Sequence, residues 1–109
     1  MGVTKTQLFT QEQNDLAVLA KVLGHPARIA ILDHLLQANQ CINSDLVEEL
    51  GLAQATISQH LRELKLAGII QGTIEGTKIS YCIEPTKWAQ VEKLFGDFFN
   101  RYPDQPGCC

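Results

Sequence analysis

Long hydrophobic runs are the first thing this 109-residue chain lacks. No stretch approaches the roughly 20 apolar residues that span a bilayer, so no membrane partner is expected. The opening MGVTKTQLFT has no apolar core long enough for a secretory signal. Gly2 and Thr6 satisfy the loose Met-Gly-x-x-x-Ser/Thr myristoylation pattern, a match short enough to arise by chance. A prenylation box would need a cysteine where Pro106 stands. A large excess of either charge is missing too. The formal net charge of −3 gives no general attraction to polyanions, so a nucleic-acid site would have to come from local placement of charge. Histidine is absent from Glu84 to Tyr102, and no internal repeat, linker or low-complexity segment interrupts the chain.

What is present is a globular composition. Apolar residues at 45% against 19% charged fit a folded core, and the length suits one domain. We expect residues 1–102 to form that domain and 103–109 a tail. Four cysteines (Cys41, Cys82, Cys108 and Cys109) permit disulfides by number. The chain nonetheless reads as cytoplasmic, with enough apolar residues to fold unstapled. Free thiols or metal ligands are the expectation for a reducing compartment.

The order of elements follows from caps and periodicity. Thr10 to Gln13 reads as a capping box, and Leu16, Leu19 and Leu23 follow at helical spacing until Gly24. Pro26 opens a second helix with Ile29, Ile31, Leu32 and Leu35 as its apolar stripe. Ile42 and Asn43 look like a hydrophobic staple and N-cap for a short helix to Leu50, ended by a tight turn at Gly51. The next helix runs from Gln54 to Leu66. From Ile69 to Ile83 the residues become β-branched around Glu75-Gly76, which predicts a hairpin. Ile79, Tyr81 and Ile83 share one strand face, and Lys78, Ser80 and Cys82 the other. Pro85 opens a last helix with the stripe Trp88, Val91, Phe95, Phe98 and Tyr102. The fold class expected is mainly α with a small β-hairpin, α-α-α-α-β-β-α, a winged helix-turn-helix.

The helix from Gln54 carries the chemistry. Ile57, Leu61 and Leu64 line its inner side, while Gln54, Ala55, Thr56, Ser58, Gln59 and Arg62 point outward. These uncharged donors and acceptors are mediocre helix formers. They suit a helix that enters the DNA major groove by its N-terminal end. Gln54 and Gln59 can pair bidentately with adenine, Ala55 can meet a thymine methyl, and Thr56 and Ser58 can reach bases or phosphates. Arg62 and Lys65 suit phosphates, and Lys78 would lie in the wing near the flanking backbone. The plainer alternative is an ordinary solvated helix face. His60, at the edge of the inner stripe, reads as a packing residue. Because Glu63 and Glu75 oppose the few basic residues, a monomer would bind weakly. A twofold dimer would double the phosphate contacts on double-stranded DNA. Leu16, Leu19 and Leu23, with Trp88, Val91, Phe95 and Phe98, offer the apolar surface for that dimer, or else complete the core of one chain.

Three segments, LAKVLGHPARIAIL, ISQHLRELKLAGII and GTKISYCI, together resemble the ArsR/SmtB family of bacterial winged-helix repressors. The likeness runs from Leu16 to Phe99, and His-Pro-x-Arg and Ser-x-His-Leu are its most specific parts. It implies a homodimeric repressor that binds operator DNA and leaves it when an effector binds: a soft metal ion, arsenite or a reactive sulfur species. It also implies that Gln54 to Leu66 is the recognition helix and that the wing centres on Glu75-Gly76. The effector residues depart from the family's patterns. Where arsenic and cadmium sensors carry Cys-x-Cys, this chain reads Cys41-Ile42-Asn43. The zinc pattern of the last helix is absent, and Asp33 or a neighbour stands where two-thiol sulfur sensors place a cysteine.

The four thiols leave three readings open. Three thiolates suffice for trigonal arsenite, and Cys108 and Cys109 could close over Cys41 or Cys82 to hold it or another soft ion. The same cysteines could form a redox switch, or do neither. No cofactor is required on any of these readings. Gly72, Gly76 and Lys78 are wrongly spaced for a phosphate loop, and no nucleophile–base arrangement can be assembled, so an enzyme is not expected. A winged helix used only for protein contacts is the remaining rival.

Overall fold

The computed structural model describes residues 8–38, 40–42, 50–76 and 78–103. Among the described residues four helices and one hairpin follow in order: α1 Gln11–Leu23, α2 Pro26–Ala38, α3 Gln54–Leu66, β1 Ile70–Glu75, β2 Lys78–Ile83 and α4 Pro85–Phe99. The short helix expected from Asn43 falls, apart from Leu50, outside the described residues, as do Cys108 and Cys109.

Local chemistry sets the boundaries. Thr10 caps α1 through a full capping box: Gln13 N–H donates to Thr10 Oγ1 at 3.1 Å, and Thr10 N–H donates to Gln13 Oε1 at 3.0 Å. Pro26 is the first residue of α2, and the preceding His25 acts as a cap, its Nδ1 accepting from the Ala27 N–H at 3.0 Å. The Glu84 carboxylate accepts from the N–H groups of Thr86 and Lys87, starting α4 at Pro85. Gly68, at φ 81°, takes the left-handed conformation that ends the α3 segment and turns the chain into β1.

The core joins α2, α3 and β1. Ile31, Leu35, Ile57, Leu64, Ile69 and Ile70 are the largest side chains with essentially no exposure, and Leu32 and Leu61 complete the packing between α2 and α3. Each such residue contributes about 1.5–3 kcal/mol through removal from water. Ile29, read as part of the α2 stripe, is instead half exposed. The buried positions 31, 32 and 35 define a face that position 29 does not share. In the hairpin, antiparallel pairing runs from Ile70↔Ile83 to Glu75↔Lys78. Alternation puts Ser80 inside, while Ile74 and its cross-strand partner Ile79 are exposed towards the turn. Ile42, expected as a staple, forms an isolated antiparallel bridge with Tyr81, so β2 lies between β1 and the segment before the short helix.

The apolar stripes of α1 and α4 are divided between inside and outside. Leu19 and Val91 belong to the core of the single chain, and Leu23, Trp88 and Phe95 pack against it. Within the single chain these side chains serve the core, the second of the two roles expected for the stripes. Phe98 and Phe99 remain exposed. They flank an apolar groove of about 440 Å³ with Leu16, Ala17, Ala20 and Phe95. An ion pair between Arg101 and Glu12 ties the end of α4 to the start of α1.

Candidate nucleic-acid interface

α3 separates its faces sharply. Ile57, His60, Leu61 and Leu64 are buried, whereas Gln54, Ala55, Thr56, Ser58, Gln59, Arg62 and Lys65 are exposed. The cause is the 100° step per residue, which leaves the glutamines and hydroxyls opposite the aliphatic stripe. Gln54 Nε2 donates to Ser58 Oγ at 3.1 Å, holding two polar side chains together on the first turns. The N-cap is Ala53, which supplies no side-chain acceptor, so the first N–H groups of the helix face outward uncapped. Gly51, at φ 66°, makes the turn that leads in.

Lys65 sits differently from Arg62. Lys65 Nζ lies 3.4 Å from where a Cβ on Gly72 would be, bringing the ammonium of α3 over β1. A side chain at position 72 would press closest on Ile79 Cγ2 and Tyr81 Cε1 of β2, each 3.3 Å from its Cβ. Lys78 opens β2, but its side chain lies outside the described structure.

Behind α3 lies a contact that joins the two most distinctive sequence segments. Arg28 Nε donates to His60 Nδ1 at 3.1 Å, and Arg28 Nη1 donates to the Val22 carbonyl at 3.1 Å. The His25 and His60 rings lie 4.3 Å apart between centroids. His-Pro-x-Arg and Ser-x-His-Leu are thus the two halves of one bracket that clamps α3 onto α2 and the end of α1. With Nδ1 accepting, neutral His60 carries its proton on Nε2. Burial pushes the His60 pKa below the usual histidine value, and the neighbouring His25 and Arg28 charges push the same way, with Glu63 opposing. Sequence reasoning placed His60 in packing but missed Arg28 as its partner. No local spacing signals the pair, because 32 residues separate its two members.

The cysteines divide as well. Cys41 and Cys82 form a disulfide with a Cα–Cα distance of 4.4 Å, so in this form neither sulfur is the free thiolate that a metal ligand must be. Among the described residues no group of three or more His, Cys, Asp or Glu side chains could hold a metal ion. Asp33 is exposed on α2 and accepts from Gln37 Nε2 at 3.2 Å. No described helix is long and apolar enough to cross a membrane.

An apolar-backed helix presenting polar side chains, with a two-stranded hairpin directly behind it, defines a winged helix-turn-helix module. The chain belongs to the ArsR/SmtB family. Residues 25–71 match the family described as "Bacterial regulatory protein, arsR family". A biofilm growth-associated repressor of Agrobacterium fabrum is 34% identical over 99 residues, covering 90% of this chain and 84% of that protein. The HTH-type transcriptional repressor SmtB of Mycobacterium tuberculosis is 38% identical over 63 residues, 58% of this chain. That match spans 46% of the relative, about half its length. Among solved structures, HlyU from Vibrio cholerae superposes with a TM-score of 0.67 at 27% identity, covering 79% of this chain and 94% of that one.

Proposed function

We propose that this protein is a homodimeric, cytoplasmic transcriptional repressor that binds double-stranded operator DNA through α3 and releases it when its cysteines meet an effector. The observation that carries the reading is the exposed row Gln54, Thr56, Ser58 and Gln59 on a helix fixed from behind by Ile57, Leu61, Leu64 and the Arg28–His60 bond. Uncharged bidentate groups read base edges, and Arg62, Lys65, Lys78 and the uncapped helix start would hold phosphates. The relatives named as repressors support the regulatory sense. The apolar groove beside Phe98 and Phe99 supports a twofold partner, which doubles an otherwise sparse set of phosphate contacts.

For the effector, two readings follow the sulfur. As thiolates the cysteines suit arsenite or another soft ion. As a disulfide, Cys41 and Cys82 make a redox switch, and the bridge favours this second reading. The test is titration of a fluorescent duplex from the chain's own upstream DNA against a scrambled duplex over a salt series, repeated with arsenite, cadmium, zinc and polysulfide. Preference for the upstream duplex that is lost with one effector supports the proposal. Equal binding to both duplexes would leave a winged helix used for protein contacts.

A further inference from the structure

The Cys41–Cys82 bridge has a defined place in the backbone. Ile42 N–H donates to the Tyr81 carbonyl at 2.9 Å, and Tyr81 N–H returns a bond to the Ile42 carbonyl at 2.8 Å. Cys41 and Cys82 are the next opposed residues along this antiparallel pairing, at a position without hydrogen bonds. Cα atoms there approach to about 4.5 Å, which lies in the bridging range. The observed 4.4 Å is the spacing that this pairing position provides. Two thiols held face to face in this way re-form their bond readily.

The bridge is also reachable. Cys41 is exposed and Cys82 partly so, and both line a cavity of about 290 Å³ with Leu35, Leu36, Gln40 and Ile83. Mostly apolar walls and one amide suit a small organic thiol. All of α3, all of β1 and the first part of β2 lie within the 41-residue separation that the bridge closes. The disulfide thus ties together the two ends of the segment assigned above to reading DNA.

We propose that Cys41–Cys82 is a thiol–disulfide exchange site for low-molecular-weight thiols that enter this cavity, and that the bridged form binds operator more tightly than the opened one. A thiolate RS⁻ attacks Cys41 Sγ, the S–S bond breaks, and its electron pair leaves on Cys82 Sγ as a thiolate. A second RS⁻ attacks the mixed disulfide on Cys41, giving RSSR and the Cys41 thiolate. The low-molecular-weight disulfide RSSR drives the reverse path, so atoms and electrons balance within one thiol–disulfide couple. Affinity follows the bridge because a tether between the wing strand and the segment before the recognition helix removes freedom that docking would otherwise have to remove. The regulatory half of this proposal rests on the operator-binding reading; the exchange chemistry does not.

The experiment uses the full chain with Cys108→Ser and Cys109→Ser, so that only the bridged pair reports. Protein equilibrated in cysteine–cystine buffers of graded ratio is alkylated and weighed. A reversible change between zero and two alkylated thiols, and a cysteine adduct trapped on Cys41 in the Cys82→Ser variant, are expected. Failure to interconvert in the folded protein overturns the exchange site. Leu36→Trp, which narrows the cavity and spares both sulfurs, should slow exchange at least fivefold; an unchanged rate overturns the cavity as the route. Operator Kd should be at least fivefold lower for the bridged form, with Cys82→Ser matching the opened form in every buffer. Equal affinities, or tighter binding by the opened form, overturn the coupling. Exchange without specific DNA binding in either form contradicts the operator reading alone.

Discussion

Replacing Arg28 with Leu removes a guanidinium that donates to His60 Nδ1 and to the Val22 carbonyl, both at 3.1 Å. His60 is 7% exposed, so its acceptor would be left largely without water. An orphaned buried acceptor costs about 1–3 kcal/mol, and the lost bond to the carbonyl adds about 1 kcal/mol. The expected destabilisation is therefore about 2–4 kcal/mol. At about 4–8 °C per kcal/mol for a domain of this size, the melting temperature should fall by about 8–32 °C. Urea unfolding at one fixed protein concentration measures it, as a lower midpoint at unchanged m-value. A double-mutant cycle separates the bond from general packing. In an Arg28→Leu background, His60→Leu removes the stranded acceptor, so the double variant should lose about 1–2 kcal/mol less than the two single losses added. A loss under about 0.5 kcal/mol for Arg28→Leu, or strict additivity, would refute the bracket between the two motifs.

Two further outcomes follow. His60 has a folded pKa below its unfolded value, so below about pH 6.5 the unfolded chain binds the extra proton more readily. Its contribution is fully present above that pH and is lost progressively as pH falls below 6.5 towards the lower folded pKa. Urea midpoints from pH 7.5 to 5.5 should show a decline that becomes shallower in His60→Gln. Phe98→Glu with Phe99→Glu places charge beside the apolar groove between α1 and α4. Sedimentation should show a dimer for the parent chain and a monomer for the variant, with far-ultraviolet circular dichroism unchanged.

Elements defined by neighbouring residues were legible in the sequence. The Thr10 capping box, Pro26 and Pro85 at helix starts, the Gly68 stop and the inward stripe of α3 depend on spacings of a few residues, and the structure shows each. Long-range pairings were not legible. Arg28 meets His60 across 32 residues and Cys41 meets Cys82 across 41, and no periodicity records either. The thiols were expected to be free on grounds of compartment and core size, which say nothing of the antiparallel bridge at Ile42 and Tyr81 that brings the sulfurs together. The aromatic stripe of α4 was legible as apolar, but periodicity alone cannot say whether Val91 and Phe98 face the same partner. Val91 closes into the chain's own core, and Phe98 stays outside.

The central claim is that the exposed side chains of α3 read base edges, and Gln59→Ala tests it most directly. Gln59 is exposed on the outer face, so the substitution should leave the urea midpoint unchanged. A bidentate contact to a base is worth about 1–3 kcal/mol, which is about 5–150-fold in Kd. The measurement is the ratio of Kd on scrambled duplex to Kd on upstream duplex, for both proteins at one salt concentration. We predict that Gln59→Ala lowers this ratio by at least fivefold through weaker binding to the upstream duplex alone. An unchanged ratio, or equal weakening on both duplexes, would contradict base reading by this helix.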